Sequence, residues 1–435
     1  MIRRYRWVIV TMGFFLFLIA YMDRVNLAIC GTTLMKAFGL SPSQLGLVFS
    51  GFTIGYTMLN FPAGFIAQKL SNRVLLTGVM ILWSIATIAT GCAAGFASLM
   101  VIRILFGMAE GPMPPSLAQV CNNWMLPREK GTAVGLYAAA IPIGIVIGNI
   151  LSGFLLASFG WRMVFFIFGT GGIIAGIFTW VIVRDKPSQH LSVSAAEVEL
   201  IESFYHAPSD RPATGSTFGQ MMSNPWVWVL SVSWFFYIMS FWATLNWLPT
   251  YLVMARGSSI MKSGFLSSFP WILGAVGMIV LGWASDRFGK GYKANWYAAN
   301  CFIAAPFMAL AVITSSLVLC IVCFSIALFF IVPCLGIATV VPMNLFHQED
   351  TGKAHGIALS FSSAGGILAP YLVGYILEQT KSFNLAYYIF AVCSVIGGLC
   401  ALALHWKERQ EKLVRENGKA TVSGGGGPAK AEQPA

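Results

Sequence analysis

The chain has 435 residues, of which 57% are hydrophobic and 10% are charged, and its formal net charge is +11. Because soluble domains carry about a quarter charged residues, this composition excludes an ordinary soluble protein and indicates a polytopic membrane protein. The positive charge could suggest a nucleic-acid partner, but the basic residues are distributed between long apolar runs. We therefore expect a lipid bilayer, and no nucleic acid, as the partner of this chain.

Twelve apolar runs are long enough to cross a bilayer, which takes about 20 residues of helix. We predict an all-α membrane protein with spans at residues 7–30, 44–69, 74–94, 97–121, 131–157, 161–183, 224–253, 264–285, 294–316, 317–345, 353–378 and 384–406. The first run follows basic residues, as a signal peptide does, but it is too long and lacks a small-residue cleavage site. It is therefore counted as a span.

The spans form two groups of six, separated by a polar segment. We expect an N-terminal six-helix bundle at residues 1–183, a cytoplasmic linker at 184–222 that is rich in Pro, Ser and charge, and a C-terminal six-helix bundle at 223–406. Residues 407–435 are expected to form a cytoplasmic tail that is largely disordered after a helical extension.

The basic residues also indicate an orientation. Of the 27 lysines and arginines, 20 lie in segments on the side of the N-terminus, five lie in segments on the other side and two lie within spans. Because basic residues concentrate in cytoplasmic segments, both termini are predicted to be cytoplasmic. The sequence has no N-x-S/T motif, which agrees with a bacterial inner membrane protein.

The two halves carry related sequences. One constant offset, which we call the first register shift, places Gly46 on Gly264 and Ser50 on Ser268. A slightly longer offset, the second register shift, places five small residues of the fifth span on identical residues of the eleventh, namely Gly131, Ala133, Gly135, Gly144 and Gly153 on Gly352, Ala354, Gly356, Gly365 and Gly374. A parallel repeat of six spans predicts a substrate site between the two bundles, near the bilayer midplane.

Charged residues inside spans mark the candidate site. Asp23 and Arg24 lie near the end of the first apolar run, where each charge costs about 2.5–3.5 kcal/mol on insertion scales at the bilayer centre. In the fourth span, Arg103 and Glu110 lie seven residues apart, which places them on one helix face about 10.5 Å apart. The prolines after Glu110 are expected to break that helix. For Arg103, a structural ion pair and a functional role both remain open.

One loop resembles a motif of the major facilitator superfamily. The sequence after the eighth span reads Gly282-Trp-Ala-Ser-Asp286-Arg287-Phe-Gly289-Lys290, which is similar to the G-x-x-x-D-R-x-G-[RK] loop of that superfamily. The resemblance implies that the first glycine permits close helix approach and that the aspartate caps or pairs with basic groups. The N-terminal copy has Gln68 and Ser71 at the matching positions, so its charge interaction is in question.

A second resemblance concerns activity. Asp23-Arg24-x-Asn26-Leu27, Glu110 and the stretch Trp124-Met-Leu-Pro127-Arg-Glu129-Lys130-Gly131 together resemble the anion:cation symporter family within that superfamily. For the fold, the resemblance implies twelve transmembrane helices in two bundles. For the activity, it implies proton-coupled uptake of an organic anion in bacterial members. Arg24 would then bind the substrate carboxylate, and Asp23 and Glu110 would carry protons.

Two positions depart from the sugar-acid carriers of that family. Those carriers commonly hold hydroxyl groups with a Gln in the fifth span and an Asn in the eleventh, where this chain has Ile141 and Leu359. Because an unpaired buried hydroxyl costs about 1–3 kcal/mol, the change favours a poorly hydroxylated acid, such as an aromatic one. The other candidate substrate contacts are Tyr21, Tyr56, Tyr137, Trp242, Ser360 and Ser363.

The sequence therefore predicts a proton-coupled symporter for a small organic carboxylate. A galactonate-like or hexuronate-like symporter and an uncoupled facilitator or anion exchanger are the alternatives. No G-x-S-x-G, H-E-x-x-H or helix-opening G-x-G-x-x-G occurs, so we do not expect an enzyme. We expect protons as the coupling ion, no cofactor, no metal and a monomer.

Overall fold

The computed structural model describes residues 5–204, 215–289 and 291–423, without the side chains of residues 60, 61, 64, 65, 67, 68, 348 and 414–423. Its helices in chain order are α1 Arg6–Phe38, α2 Pro42–Lys69, α3 Asn72–Gly91, α4 Phe96–Glu110, α5 Met113–Trp124, α6 Lys130–Phe159, α7 Trp161–Ile182, α8 Ala195–Glu202, α9 Phe218–Met222, α10 Pro225–Met254, α11 Ile260–Leu266, α12 Ser268–Phe288, α13 Lys293–Ile313, α14 Leu317–Ile331, α15 Cys334–Leu345, α16 Gln348–Thr380 and α17 Asn384–Ser423.

Each predicted span corresponds to one helix or to two consecutive helices. Among the described residues, eleven such units are long and apolar enough to cross a membrane. The remaining unit, α2, has 28 residues, or about 42 Å of helix at 1.5 Å per residue. The prediction of an all-α, multi-pass membrane protein is confirmed.

The fourth span is interrupted where the prolines predicted a break. α4 ends at Glu110 and α5 begins at Met113, with Pro112 between them. Proline lacks a backbone N–H and its ring collides with the preceding turn. The tenth span is interrupted in the same way at Pro333, and the second register shift superposes the bounds of α4 and α5 on those of α14 and α15.

The sequence repeat is also a repeat of contacts. The Ser50 hydroxyl lies 3.0 Å from the carbonyl oxygen of Gly46 in its own helix and 2.6 Å from that of Ile367 in α16. The Ser268 hydroxyl lies 2.9 Å from the carbonyl oxygen of Gly264 and 3.3 Å from that of Val146 in α6. Each serine therefore joins one bundle to the other at an equivalent position.

The two bundles touch at the end of the molecule opposite the linker, which we call the distal end. An added Cβ at Gly46 would lie 2.5 Å from the carbonyl oxygen of Pro370, and one at Gly374 would overlap that of Pro42. On the other side of the molecule, a Cβ at Gly264 would lie 2.6 Å from the carbonyl oxygen of Asn149. Larger residues would force these helices apart, so glycine closes the distal end.

The same helix faces are open near the linker. Gly135 precedes Gly153 by about five helical turns and therefore lies on the same face of α6. Gly356 precedes Gly374 by the same interval in α16. A Cβ added at Gly135 or at Gly356 would meet no described atom within 4 Å. A cavity between the bundles thus opens toward the linker.

The linker is anchored to the N-terminal bundle by a buried ionic cluster. Nε of Arg6 donates to Glu129 over 2.8 Å, and Nη1 of Arg6 donates to Glu197 over 2.8 Å. The Tyr5 backbone N–H donates to the same Glu197 carboxylate over 2.9 Å, and the Tyr5 hydroxyl is hydrogen-bonded to His190 over 2.8 Å. Burial lowers the pKa of His190, and the Arg184 guanidinium lowers it further. Its ring is therefore neutral at pH 7.

A second anchor holds the linker to the C-terminal bundle. The Ser216 backbone N–H donates to the Asp350 carboxylate over 2.8 Å, and Nζ of Lys353 donates to the Ser216 carbonyl oxygen over 2.6 Å. The second register shift places Glu129 on Asp350. The linker is therefore held at equivalent points of the two bundles.

The tail begins with the expected helical extension, which is longer than the sequence indicated. α17 continues as one helix to Ser423, so the helix covers residues 407–415 and eight further residues, whereas residues 424–435 lie outside the description. Glu408 accepts hydrogen bonds from the backbone N–H groups of Lys293 and Ala294 over 3.0 and 3.1 Å. It thus satisfies free donors at the start of α13 and anchors the extension.

The loop after α12 partly matches the expectation from its motif. Asp286 forms an ion pair with Lys293, whose Nζ also donates to Ser285 over 3.0 Å. The Arg287 guanidinium lies 5.6 Å from the ring centre of Trp283. A Cβ added at Gly289 would overlap the carbonyl oxygen of Ser285. At Gly282, however, a Cβ would meet no described atom within 4 Å. Close helix approach is therefore absent at Gly282 in this structure.

Candidate functional site

The centre of the N-terminal bundle holds a buried ion pair. Arg24, in the middle of α1, is 9% exposed, and Glu110, the last residue of α4, is 0% exposed. Nε and Nη2 of Arg24 both donate to Oε1 of Glu110, with a distance of 3.0 Å from Nε. Buried charges are tolerated only when paired, and removing one partner of such a pair costs about 3–5 kcal/mol. Glu110 is therefore the direct partner of Arg24.

The neighbouring helix approaches closely enough to place aromatic rings beside this pair. A Cβ at Gly107 would overlap the carbonyl oxygen of Phe52, and one at Gly55 would overlap that of Ile104. The backbones of α2 and α4 are therefore in contact, as small residues allow in membrane helices. This contact brings the side chains of Phe52 and Tyr56 toward Arg24.

Four aromatic rings surround the Arg24 guanidinium. Its Cζ lies 4.3 Å from the ring centre of Tyr21, 4.9 Å from that of Phe52 and 5.3 Å from that of Tyr56. The fourth ring, Trp242 at 5.7 Å, belongs to α10 of the other bundle. Each such contact is worth about 0.5–2 kcal/mol, more when water is excluded. Tyr21, Tyr56 and Trp242 are thus brought together as predicted candidates, and the cation lies at the boundary between the bundles.

A second charged pair lies next to the first. Asn26 donates to Oδ1 of Asp23 over 3.4 Å, and Nη2 of Arg103 donates to Oδ1 of Asn26 over 3.4 Å. Arg103 therefore reaches Asp23 through Asn26, and it also interacts electrostatically with Glu110. The sequence left the role of Arg103 open. The structure places this second cation beside the two carboxylates, so the site holds two cations and two carboxylates.

Both carboxyl groups keep one oxygen without a donor. Oδ2 of Asp23 and Oε2 of Glu110 are buried and have no hydrogen-bond partner among the described residues. The Trp83 indole nitrogen faces Asp23 but does not form a well-aligned hydrogen bond. A buried oxygen of this kind is costly as part of a carboxylate, and binding a proton there removes the charge. Each group can therefore hold a proton at its free oxygen.

Two predicted wall residues lie on α6 in the N-terminal bundle. Ile141 is buried in the large apolar cluster that also contains Tyr21 and Trp271. Tyr137 packs against Gly13, where an added Cβ would overlap its ring. Gly13 precedes Arg24 by about three helical turns, or about 16 Å along the helix. The structure therefore does not bring Tyr137 together with Arg24.

The predicted residues of α16 lie on its open face. Leu359 is 41% exposed, and Ser363 precedes Gly374 by about three helical turns. The Ser360 hydroxyl donates to the Gly356 carbonyl oxygen over 2.8 Å, and the Ser363 hydroxyl donates to that of Leu359 over 2.9 Å. These serines face the cavity, but their donors are used within their own helix.

Sequence reasoning missed two contributors to this site. Phe52 stacks on Arg24, and its spacing of one helical turn from Tyr56 was the available signal. Asn26 belongs to the quoted motif but was given no role, although it joins Asp23 to Arg103. In the part of the chain that the structure describes, no group of three His, Cys, Asp or Glu residues could hold a metal ion.

Relatives of known or assigned substrate resemble this chain over almost its whole length. A hexuronate transporter of Bacillus subtilis is 28% identical over 399 residues, covering 89% of this chain and 92% of the relative. A probable sulfoacetate transporter of Cupriavidus necator is 28% identical, with coverage of 90% and 91%. A D-galactonate transporter of Escherichia coli is 26% identical, with coverage of 92% and 96%.

A solved structure and a family description agree with these relatives. The fold resembles that of a bacterial homolog of the human lysosomal transporter Spinster, with a TM-score of 0.75, 19% identity and coverage of 93% of this chain and 97% of that one. Residues 13–358 match the description of the Major Facilitator Superfamily. The relatives are transporters of organic anions, which confirms the predicted resemblance to the anion:cation symporters. The chain therefore belongs to the major facilitator superfamily and is a membrane transporter rather than an enzyme.

Proposed function

We propose that the protein is a proton-coupled symporter that imports a small organic carboxylate across a bacterial inner membrane by alternating access. The observation that carries the proposal is the hydrogen bonding of Arg24, whose Nε and Nη2 both bind one oxygen of Glu110. A substrate carboxylate needs the same donors. Anion binding and ionisation of Glu110 therefore compete for Arg24, and the substrate favours protonation of Glu110.

The charges of the site set the coupling ratio. With Arg24, Arg103, Asp23 and Glu110 all ionised, the empty site is neutral. A monovalent anion makes it negative, and one proton restores neutrality, as a second proton does for a divalent anion. Because uncompensated charge is costly in the membrane, we propose one proton for each negative charge of the substrate. Rocking of the bundles then exchanges the cavity that opens toward the linker for one that opens at the distal end.

The orientation is part of the proposal. The linker and both ends of the described chain lie on the side to which the cavity opens, and most basic residues lie there as well. The positive-inside rule therefore supports a cytoplasmic location for the linker and both termini. The structure would then represent a carrier that is open to the cytoplasm.

Two substrate classes have specific support. The aromatic rings around Arg24, together with Ile141 and Leu359 at positions where polar residues were expected, favour a poorly hydroxylated carboxylate. The names of the relatives, a hexuronate and a D-galactonate transporter, favour a sugar acid as the alternative. Sulfoacetate, the acid named for a third relative, is small and carries no alcohol hydroxyl group.

Uptake into proteoliposomes tests the proposal. Purified protein would be offered labelled D-glucuronate, D-galactonate, sulfoacetate or benzoate, with or without an inward proton gradient. We expect at least one acid to accumulate above its level in protein-free liposomes when the gradient is present, and a protonophore to abolish that excess. Equal equilibration with and without the gradient would instead indicate an uncoupled facilitator, and no uptake of any acid would contradict the proposal.

A further inference from the structure

Two threonine hydroxyls of α2 are buried without a partner. Thr53 is 4% exposed, and Oγ1 of Thr53 and Oγ1 of Thr57 are buried and have no hydrogen-bond partner among the described residues. Threonine in a helix ordinarily donates to the carbonyl oxygen one turn earlier. Thr90 and Thr179 do so in this chain, over 2.9 and 2.8 Å. The two hydroxyls of α2 are exceptions, since their hydrogens have no acceptor among the described residues.

These hydroxyls lie where the two bundles meet. Gly46, Ser50, Thr53 and Thr57 follow one another at intervals of three or four residues and form one face of α2. The first two touch α16. A Cβ added at Gly366 of α16 would lie 3.1 Å from Cγ2 of Thr53. The threonines are thus the continuation of this contact face toward the cavity.

The same position adjoins the Arg24 site. The Cβ at Gly366 would also lie 3.1 Å from Cδ1 of Trp242, whose ring stacks on Arg24. Phe52, the residue before Thr53, provides another ring of that site. An acid whose carboxylate is bound by Arg24 would therefore extend past Trp242 toward the threonine hydroxyls.

The two threonines have no counterparts at the equivalent positions of the C-terminal half. The first register shift, which superposes Ser50 on Ser268, places Trp271 and Ala275 at the positions of Thr53 and Thr57. The serine contact between the bundles is present in both halves, whereas the hydroxyl pair is present in the N-terminal half alone. The charged residues of the site are also found in that half, as Ile331 stands at the position of Glu110 under the second register shift.

Free donors distinguish this pair from the serines of α16. The Ser360 and Ser363 hydroxyls are already bonded to carbonyl oxygens. A substrate oxygen that faces the seam between α2 and α16 would therefore find unused donors at Thr53 and Thr57. Their number suits one or two acceptor oxygens, not the full set of a polyol.

We propose that Thr53 and Thr57 donate hydrogen bonds to a second polar group of the transported acid, remote from the carboxylate at Arg24. This inference rests on the proposed function and narrows its substrate class. The substrate is a carboxylate that carries an acceptor oxygen, from a hydroxyl or a second acid group, on an otherwise poorly hydroxylated frame. The two threonines are specificity-determining residues of the same site.

The test compares acids with and without that oxygen. Affinities of the full-length protein would be measured by thermal shift for sulfoacetate against propionate and for 4-hydroxycyclohexanecarboxylate against cyclohexanecarboxylate. We expect the wild type to prefer the oxygen-rich member of at least one pair by tenfold or more. Thr53→Val combined with Thr57→Val should reduce that preference about tenfold, whereas Thr53→Ser should retain it.

Two controls keep the result interpretable. Thr179→Val removes a buried hydroxyl that is bonded within α7, and it should leave the preference unchanged. Unchanged affinity of the double variant for propionate or cyclohexanecarboxylate would show that the site is intact. If that affinity is lost, the preference would be measured instead in Thr53→Val and Thr57→Val separately. A wild type without preference, or a double variant that keeps it, overturns the inference. The proposed function fails separately, if Arg24→Ala leaves all affinities unaltered.

Discussion

Arg24→Ala is expected to abolish substrate binding and transport. The Arg24 guanidinium contacts Trp242 of the C-terminal bundle. In the proposed function it provides charged hydrogen-bond donors for the substrate carboxylate. Hydrogen bonds to charged groups contribute about 1.5–3 kcal/mol each. Losing two of them corresponds to about 100-fold or more in affinity. The measurement is the dissociation constant of any acid that stabilises the wild-type protein in a thermal-shift titration.

A conservative variant separates charge from geometry. Arg24→Lys keeps the positive charge beside Glu110, so the fold should survive, but it cannot reproduce the two donors that bind one oxygen. Its affinity should therefore fall almost as far as that of the alanine variant. Arg128→Ala, at an exposed position of the loop before α6, serves as the control that should bind normally. Wild-type affinity in both Arg24 variants would contradict the assignment.

Asp23→Asn and Glu110→Gln are expected to abolish accumulation against a gradient while leaving exchange measurable. Each substitution removes a buried group whose second oxygen can hold the proton. Without that group, anion binding no longer draws a proton, so the proton gradient cannot drive uptake. Glu110→Gln should also bind the anion more tightly at neutral pH, because the amide competes weakly for Arg24. The readouts are gradient-driven uptake and counterflow of labelled acid in proteoliposomes.

Glu199→Gln is the matched control for these variants. Glu199 lies on α8 in the linker and is exposed, so its neutralisation changes the net charge without changing the site. It should retain full uptake. Full gradient-driven uptake in both Asp23→Asn and Glu110→Gln would remove them from the coupling mechanism, and loss of counterflow as well would assign them to binding instead.

Much of the fold follows from local patterns of the sequence. The shift that pairs Ser50 with Ser268 predicted equivalent positions, and both hydroxyls reach a carbonyl oxygen of the other bundle. The proline after Glu110 predicted the break between α4 and α5, because proline interrupts the hydrogen bonds of a helix.

The remaining features of the site depend on how far along its helix each side chain lies and on which neighbouring helix it faces. A sequence pattern alone does not specify either. Tyr137 was grouped with Tyr21 because both are aromatic residues near the cavity, but it lies about three turns closer to the linker, beside Gly13. The link from Arg103 to Asp23 requires that Asn26 of α1 lie within hydrogen-bond distance of Arg103 of α4. The helical extension was expected, but its attachment through Glu408 to the start of α13 was not. Such contacts join residues far apart in sequence.

The central claim is that the anion and the proton are coupled through the Arg24–Glu110 pair, and proton uptake on substrate binding tests it most directly. Protein in weakly buffered detergent solution would be titrated with a monovalent acid already neutralised to the same pH, while the pH is recorded. Wild-type protein should take up about one proton for each anion bound near neutral pH, and Glu110→Gln should take up markedly fewer. Saturable binding to wild-type protein without any proton uptake, across the pH range in which transport occurs, would contradict the account.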